Sequence, residues 1–70
     1  RVLEYISERE EEFIRLVCDE AEHTYDAIAD LMQVHRRTVD GYRESIFSKF
    51  HLKSKTGLVI FAFKWGVVKV

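Results

Sequence analysis

The stretch VHRRTVDGYRESIFSKF, residues 34–50, constrains the fold of this chain most. Within it Val39, Ile46 and Phe50 recur at spacings of seven and four, which stacks them along one stripe of an amphipathic α-helix. The other faces carry Thr38, Asp40, Gly41, Arg43, Glu44 and Lys49, and two adjacent arginines, Arg36 and Arg37, stand at the start. A shorter amphipathic segment, residues 24–32, comes just before it. Two short helices at an angle, joined by a tight connection and with the second basic at its start, form the helix-turn-helix plan for DNA.

Seventy residues make one domain. A chain of this length buries only ~60% of the surface its unfolded form exposes, so its core is small. An apolar content of 47% fits a folded chain rather than a disordered one. No proline and only three glycines favour helices with short connections. The chain opens on Arg1 rather than Met, which reads as an excised domain, and its first residues are charged, without a secretory pattern. The longest apolar run, residues 58–63, is far short of the ~20 residues a membrane helix needs. A lone cysteine, Cys18, forms no internal disulfide and suits a reducing cytosol, so a cytoplasmic location is expected.

The net charge of −1 argues mildly against DNA, but its distribution argues the other way. Residues 1–34 hold three arginines against ten acids, whereas residues 35–56 hold six lysines or arginines against Asp40 and Glu44. Such asymmetry suggests one basic face on an otherwise acidic domain. It also fits a set of solvated helix faces.

Along the chain, residues 1–6 read as the end of a linker and residues 7–70 as the domain. Ser7-Glu8-Arg9-Glu10 fits a capping box, in which the Ser7 hydroxyl accepts the Glu10 N–H and Glu10 reaches back. Glu8, Glu10, Glu11 and Glu12 suit the positive end of the helix dipole, and Phe13, Ile14, Leu16 and Val17 supply the apolar face. Thr24 is placed to cap the second helix, with Asp26 in its first turn. Ala27, Ile28, Leu31 and Met32 form the apolar side of that helix, and Val34 is the inward anchor of the turn that follows. Ser54 can cap a fourth helix, and Gly66 stands where a C-terminal glycine belongs. The sequence predicts an all-α fold with helices at about 7–19, 24–32, 36–50 and 54–65. The fourth is the ambiguous one, because GLVIFAFKW is rich in β-branched and aromatic residues and local propensity also allows a strand. As a helix it is apolar on nearly all sides, so Ile60 or Phe63 would be left for a partner to cover.

Read together, these residues resemble the LuxR-type (GerE, NarL-like) helix-turn-helix domain. The pieces are Ile6-Ser7-Glu8-Arg9-Glu10 with Glu12, Phe13-Ile14-Arg15-Leu16-Val17, Ile28-Ala29, Thr38-Val39, Lys53-Ser54-Lys55-Thr56 and Gly66. The resemblance covers about residues 6–68. It implies a four-helix domain whose third helix enters the major groove of double-stranded DNA. It also implies a homodimer through the fourth helix, carried over to Gly57, Ile60, Phe61 and Lys64. Domains of this type commonly form the C-terminal output of two-component response regulators and quorum-sensing regulators. An upstream receiver domain would then supply control by phosphorylation, freeing the recognition helix.

This sequence departs from the family pattern at several places. The family usually has Pro where Glu8 stands and Gly near Glu20, and often Gly where His51 stands. The connection at residues 22–25 is about two residues longer. Positions 40 and 44 are often basic in relatives and contact DNA, but here they are Asp40 and Glu44. An acid repels a phosphate, so Asp40 is read as accepting from a cytosine amino group or facing solvent. Arg43, within one turn, could replace the lost contact. TVDGYR is similar to one branch of response regulators with this domain, so the change reads as altered readout.

The DNA-contacting set is therefore Arg36, Arg37, Thr38, Asp40, Gly41, Arg43 and Glu44 from the third helix. Thr24 and Tyr25 at the start of the second helix, with Lys53 and Lys55, are placed to hold phosphates. Positive charge at a helix start is unfavourable against the dipole, so Arg36 and Arg37 suit phosphate or guanine better than a structural role. Gly41 in mid-helix costs about 1 kcal/mol relative to Ala, which suggests close approach to DNA or to another helix, or simple tolerance. Tyr42 reads as a packing residue or a phosphate hydrogen bond. His23, His35 and His51 lack metal spacing, no phosphate loop or nucleophile constellation stands out, and no enzyme activity, cofactor or metal is expected. RNA polymerase is a further candidate partner. Two rival readings remain: an interaction module that kept the fold but lost DNA, and the promoter-reading region of a sigma factor.

Overall fold

The computed structural model describes residues 2–69; Arg1, in the expected linker, and Val70, at the expected domain end, lie outside the described residues. A short 3-10 helix, Val2–Glu4, leads into α1 (Glu8–Val17), α2 (Tyr25–Met32), α3 (Arg36–Phe50) and α4 (Lys55–Lys64), with no strand among the described residues. The all-α, four-helix expectation holds. Three of the four starts are built from the capping residues read in the sequence. The Ser7 hydroxyl accepts from the Glu10 N–H at 3.1 Å and the Ser7 N–H donates to Glu10 Oε1 at 2.8 Å, completing the capping box. Thr24 accepts from the Ala27 N–H at 3.1 Å and Ser54 from the Gly57 N–H at 3.0 Å. α1 stops at Val17, earlier than predicted, because the Asp19 carboxylate accepts the Ala21 N–H at 2.8 Å and turns the chain there.

The last three helices end alike. Gln33, His51 and Gly66 adopt left-handed conformations with φ of 59°, 56° and 72°. In each case the next N–H returns five residues: Val34 to the Ala29 carbonyl, Leu52 to Phe47 and Val67 to Ala62, at 2.9–3.0 Å. His51 therefore performs the turn for which the resembled family often uses glycine, against a left-handed cost of roughly 1–2 kcal/mol for a residue with a Cβ.

α1 sits at the centre and packs against α2, α3 and α4, while α2 and α3 pack on each other as the helix-turn-helix pair. Phe13, Ile14, Ile28, Val39, Ile46 and Leu58, drawn from all four helices, are fully buried. Val34 is half-buried against this core, as the inward anchor predicted. The ambiguity of α4 is resolved by packing: Leu58 and Ala62, four apart, are both fully buried, whereas Ile60 between them is 61% exposed. A half-buried strand would have turned all three to one side.

One polar tie joins the lead-in to α3. Lys49 Nζ donates to the Tyr5 carbonyl at 2.9 Å and to Glu10 Oε1 at 3.2 Å, and Glu10 is nearly buried. Burial raises the pKa of Glu10, but hydrogen bonds from the Ser7 N–H, Ser45 and Lys49, with the Lys49 charge, outweigh it and hold the carboxyl below its ordinary value. A depressed carboxylate contributes stability that is present above the unfolded-state value and is lost as pH falls through the folded-state value. Glu10→Gln, which keeps the capping box, is expected to cost about 1 kcal/mol at pH 7, or roughly 4–8 °C in melting temperature. The difference should shrink as pH falls below the ordinary carboxylate range, as read by thermal melts from pH 7 downward; an equal loss at every pH would contradict the assignment.

Candidate nucleic-acid interface

The geometry of α3 divides its residues into two sets. Val39 and Ile46 point into the core, with Tyr42 half-buried beside them, its ring 6.2 Å from that of Phe13. Opposite them, Arg37, Gly41, Glu44 and Ser48 recur at spacings of four, three and four and are all exposed. This outward row opens on Arg37, which has no ion-pair partner among the described residues. Thr38 is exposed on the adjoining flank, where it lines a shallow hollow with His35 and Arg37. A Cβ added at Gly41 would meet nothing within 4 Å. Close approach to another helix of this chain is therefore not the reason for that glycine.

Arg36 behaves differently from its neighbour. Its Nη1 donates to Asp26 Oδ1 at 2.9 Å and its Nε to Asp40 Oδ1 at 3.0 Å. Its guanidinium also lies 5.5 Å from the centre of the Tyr25 ring. The hydrogen bonds to Asp26 and then Asp40 push its pKa further above the ordinary arginine value. Asp40 is half-buried, and its Oδ1 accepts from Arg36. The two carboxylates also explain how an arginine tolerates this helix start, where the N-cap His35 makes no side-chain bond.

Arg43 is likewise turned toward α2, with its guanidinium 5.4 Å from the Tyr25 ring centre and 3.9 Å from the Glu44 carboxylate. Tyr25 is thus a half-buried platform for two arginines, resting in turn 6.1 Å from the Phe13 ring. Glu44 itself remains exposed. At the α2 start Thr24 fills the capping role, and its exposed position leaves that end of the helix accessible. Lys53 and Lys55 flank Ser54 and are exposed, with no ion-pair partner among the described residues.

The residues carried over for α4 separate as well. Ile60 and Lys64 are exposed, with Lys64 5.7 Å from the centre of the Trp65 ring. Phe61 instead turns inward against Phe50, ring centres 4.6 Å apart, and Gly57 is half-buried, where a Cβ would lie 3.3 Å from Ser54 Oγ. Phe63 and Trp65 add to the exposed apolar surface at 39% and 58%.

Sequence reasoning missed three ties. Asp26 was read only for its charge at a helix start. Arg9 was given no role, yet its Nη2 donates to the Met32 carbonyl at 2.8 Å and so satisfies the end of α2. Lys49 was read only as a polar face. The Arg36–Asp40 pair, in contrast, has the i, i+4 spacing that favours an ion pair and was there to be found. Among the described residues no cluster of His, Cys, Asp or Glu is placed to hold a metal, and no helix is long and apolar enough to cross a membrane.

The family model GerE, describing bacterial regulatory proteins of the luxR family, matches residues 4–62. No curated protein and no solved structure matches the chain.

Proposed function

The chain belongs to the luxR family of bacterial regulatory proteins and is therefore a DNA-binding domain of transcription regulation; within that role we propose that α3 reads the major groove through its outward row. The observation that carries this reading is the position of Arg37, exposed at the head of that row and free of the acids that occupy Arg36. Thr38, Gly41 and Glu44 complete the reading surface, with Glu44 suited to accept from a cytosine amino group. Thr24, Lys53 and Lys55 hold phosphates on either side. A second copy docks through the outward side of α4, where Ile60, Phe63 and Lys64 are exposed. An upstream receiver domain supplies the control input.

The test is binding to a duplex selected from a random pool, and to random duplex, at two salt concentrations. Contact with Z phosphates gives a log–log salt slope of about −0.9Z. Steep salt dependence together with a preferred sequence supports the reading. Salt-insensitive self-association with no DNA bound at low salt would replace it with an interaction module.

A further inference from the structure

Arg36 and Arg37 are neighbours in sequence, but their surroundings are opposite. Arg37 meets no acid among the described residues, whereas Arg36 is bonded to one carboxylate from α2 and one from α3. The Asp26–Arg36–Asp40 trio carries a net charge of −1, so it presents no attraction to a phosphate. The planar guanidinium spends two donors in fixed directions on the two aspartates and lies near the Tyr25 ring. Tyr25 is the first residue of α2, is approached by Arg43 two turns further along the same side of α3, and rests on the core residue Phe13. Exposed ion pairs of this kind add little to folding stability, so the consequence of the arrangement is geometric.

We propose that Arg36 is a positioning residue, anchored by Asp26 and Asp40, which fixes the first turn of α2 against the first turn of α3. It thereby sets the spacing between the phosphate-holding start of α2 and the base-reading row headed by Arg37. Asp40 acts through Arg36 and reads no base. The inference rests on the DNA reading proposed above and deepens it: of the two arginines, one meets DNA and the other holds the frame.

The experiment measures Arg36→Ala, Arg36→Lys and Asp26→Asn beside Arg37→Ala, each first shown by thermal melt to fold like the unaltered chain. Affinity for a selected duplex and for random duplex is read at several salt concentrations. Arg36→Ala, Arg36→Lys and Asp26→Asn are each expected to shrink the selected-to-random ratio at least roughly fivefold, the size of one lost base-pair discrimination. The salt slope on random duplex should stay unchanged in the two Arg36 variants. Lysine cannot reproduce two directed bonds from one planar group, so it should not rescue. Asp26→Asn removes a negative charge and leaves every arginine in place, so a fall in its affinity for the selected duplex, with random-duplex affinity no lower, has no explanation in charge. The proposal is overturned if Arg36→Ala lowers the slope by about 0.9 while Arg36→Lys restores binding, the behaviour of a direct phosphate contact. Failure of the underlying reading looks different: Arg37→Ala would then bind both duplexes as the unaltered chain does.

Discussion

Arg37→Ala is expected to bind its selected duplex about 10- to 100-fold more weakly per domain, the loss of about 1–3 kcal/mol when a bidentate arginine–guanine pair is removed. Its melting temperature should not move, because Arg37 is exposed and touches no acid among the described residues. Random duplex should lose less affinity than selected duplex if the guanidinium reads a base. An equal loss on both, with the salt slope reduced by about 0.9, would make it a phosphate contact instead. Titration by fluorescence anisotropy, with melts on the same samples, separates these outcomes. The expectation depends on the separation of the two arginines, since an Arg37 bonded like Arg36 would point its donors at aspartates rather than at DNA.

The second large effect concerns the frame. Phe13 is fully buried on the central helix, and its ring neighbours Tyr25 and Tyr42 on α2 and α3. Phe13→Ala is expected to cost about 3–5 kcal/mol from lost burial and the cavity left behind. A 70-residue domain has a total stability of roughly 3.5–10 kcal/mol at 0.05–0.15 kcal/mol per residue. The variant should therefore be largely unfolded or melt tens of degrees lower, and DNA binding should go with it. Phe13→Leu, which keeps most of the volume, should cost less than about 1.5 kcal/mol and retain binding. Chemical denaturation of both variants checks the pair; a stable Phe13→Ala would mean that Phe13 does not organise the contact of α1 with the helix-turn-helix.

The fold was legible where its causes are local. Ser7 with Glu10, Thr24 and Ser54 announce helix starts through hydroxyls three residues ahead of an N–H, and each forms that bond. The stripe of Val39, Ile46 and Phe50 marks α3 from Arg36 to Phe50 because a 15-residue helix leaves a full periodic record. α4 was ambiguous because its residues are apolar on nearly every side, and only packing against α1 decides which of them turn inward. The ties that position the site were harder to see because they join distant residues: Lys49 to the Tyr5 carbonyl, Arg9 to the Met32 carbonyl, Arg36 to Asp26. No spacing rule links such pairs before the helices are docked. Residue types alone marked Arg36, Arg37 and Arg43 as one basic group. The structure divides them, because two of the three lie near the Tyr25 ring and only Arg37 heads the outward row.

The central claim is that DNA meets the outward side of α3, and a residue-resolved NMR titration of the 15N-labelled domain with its selected duplex tests it most directly. The account predicts the largest amide shifts at Arg37, Thr38, Gly41 and Glu44, smaller ones at Thr24, Lys53 and Lys55, and none along residues 11–15 of α1. Shifts confined to Ile60, Phe63 and Trp65 on α4, with α3 unmoved, would contradict it.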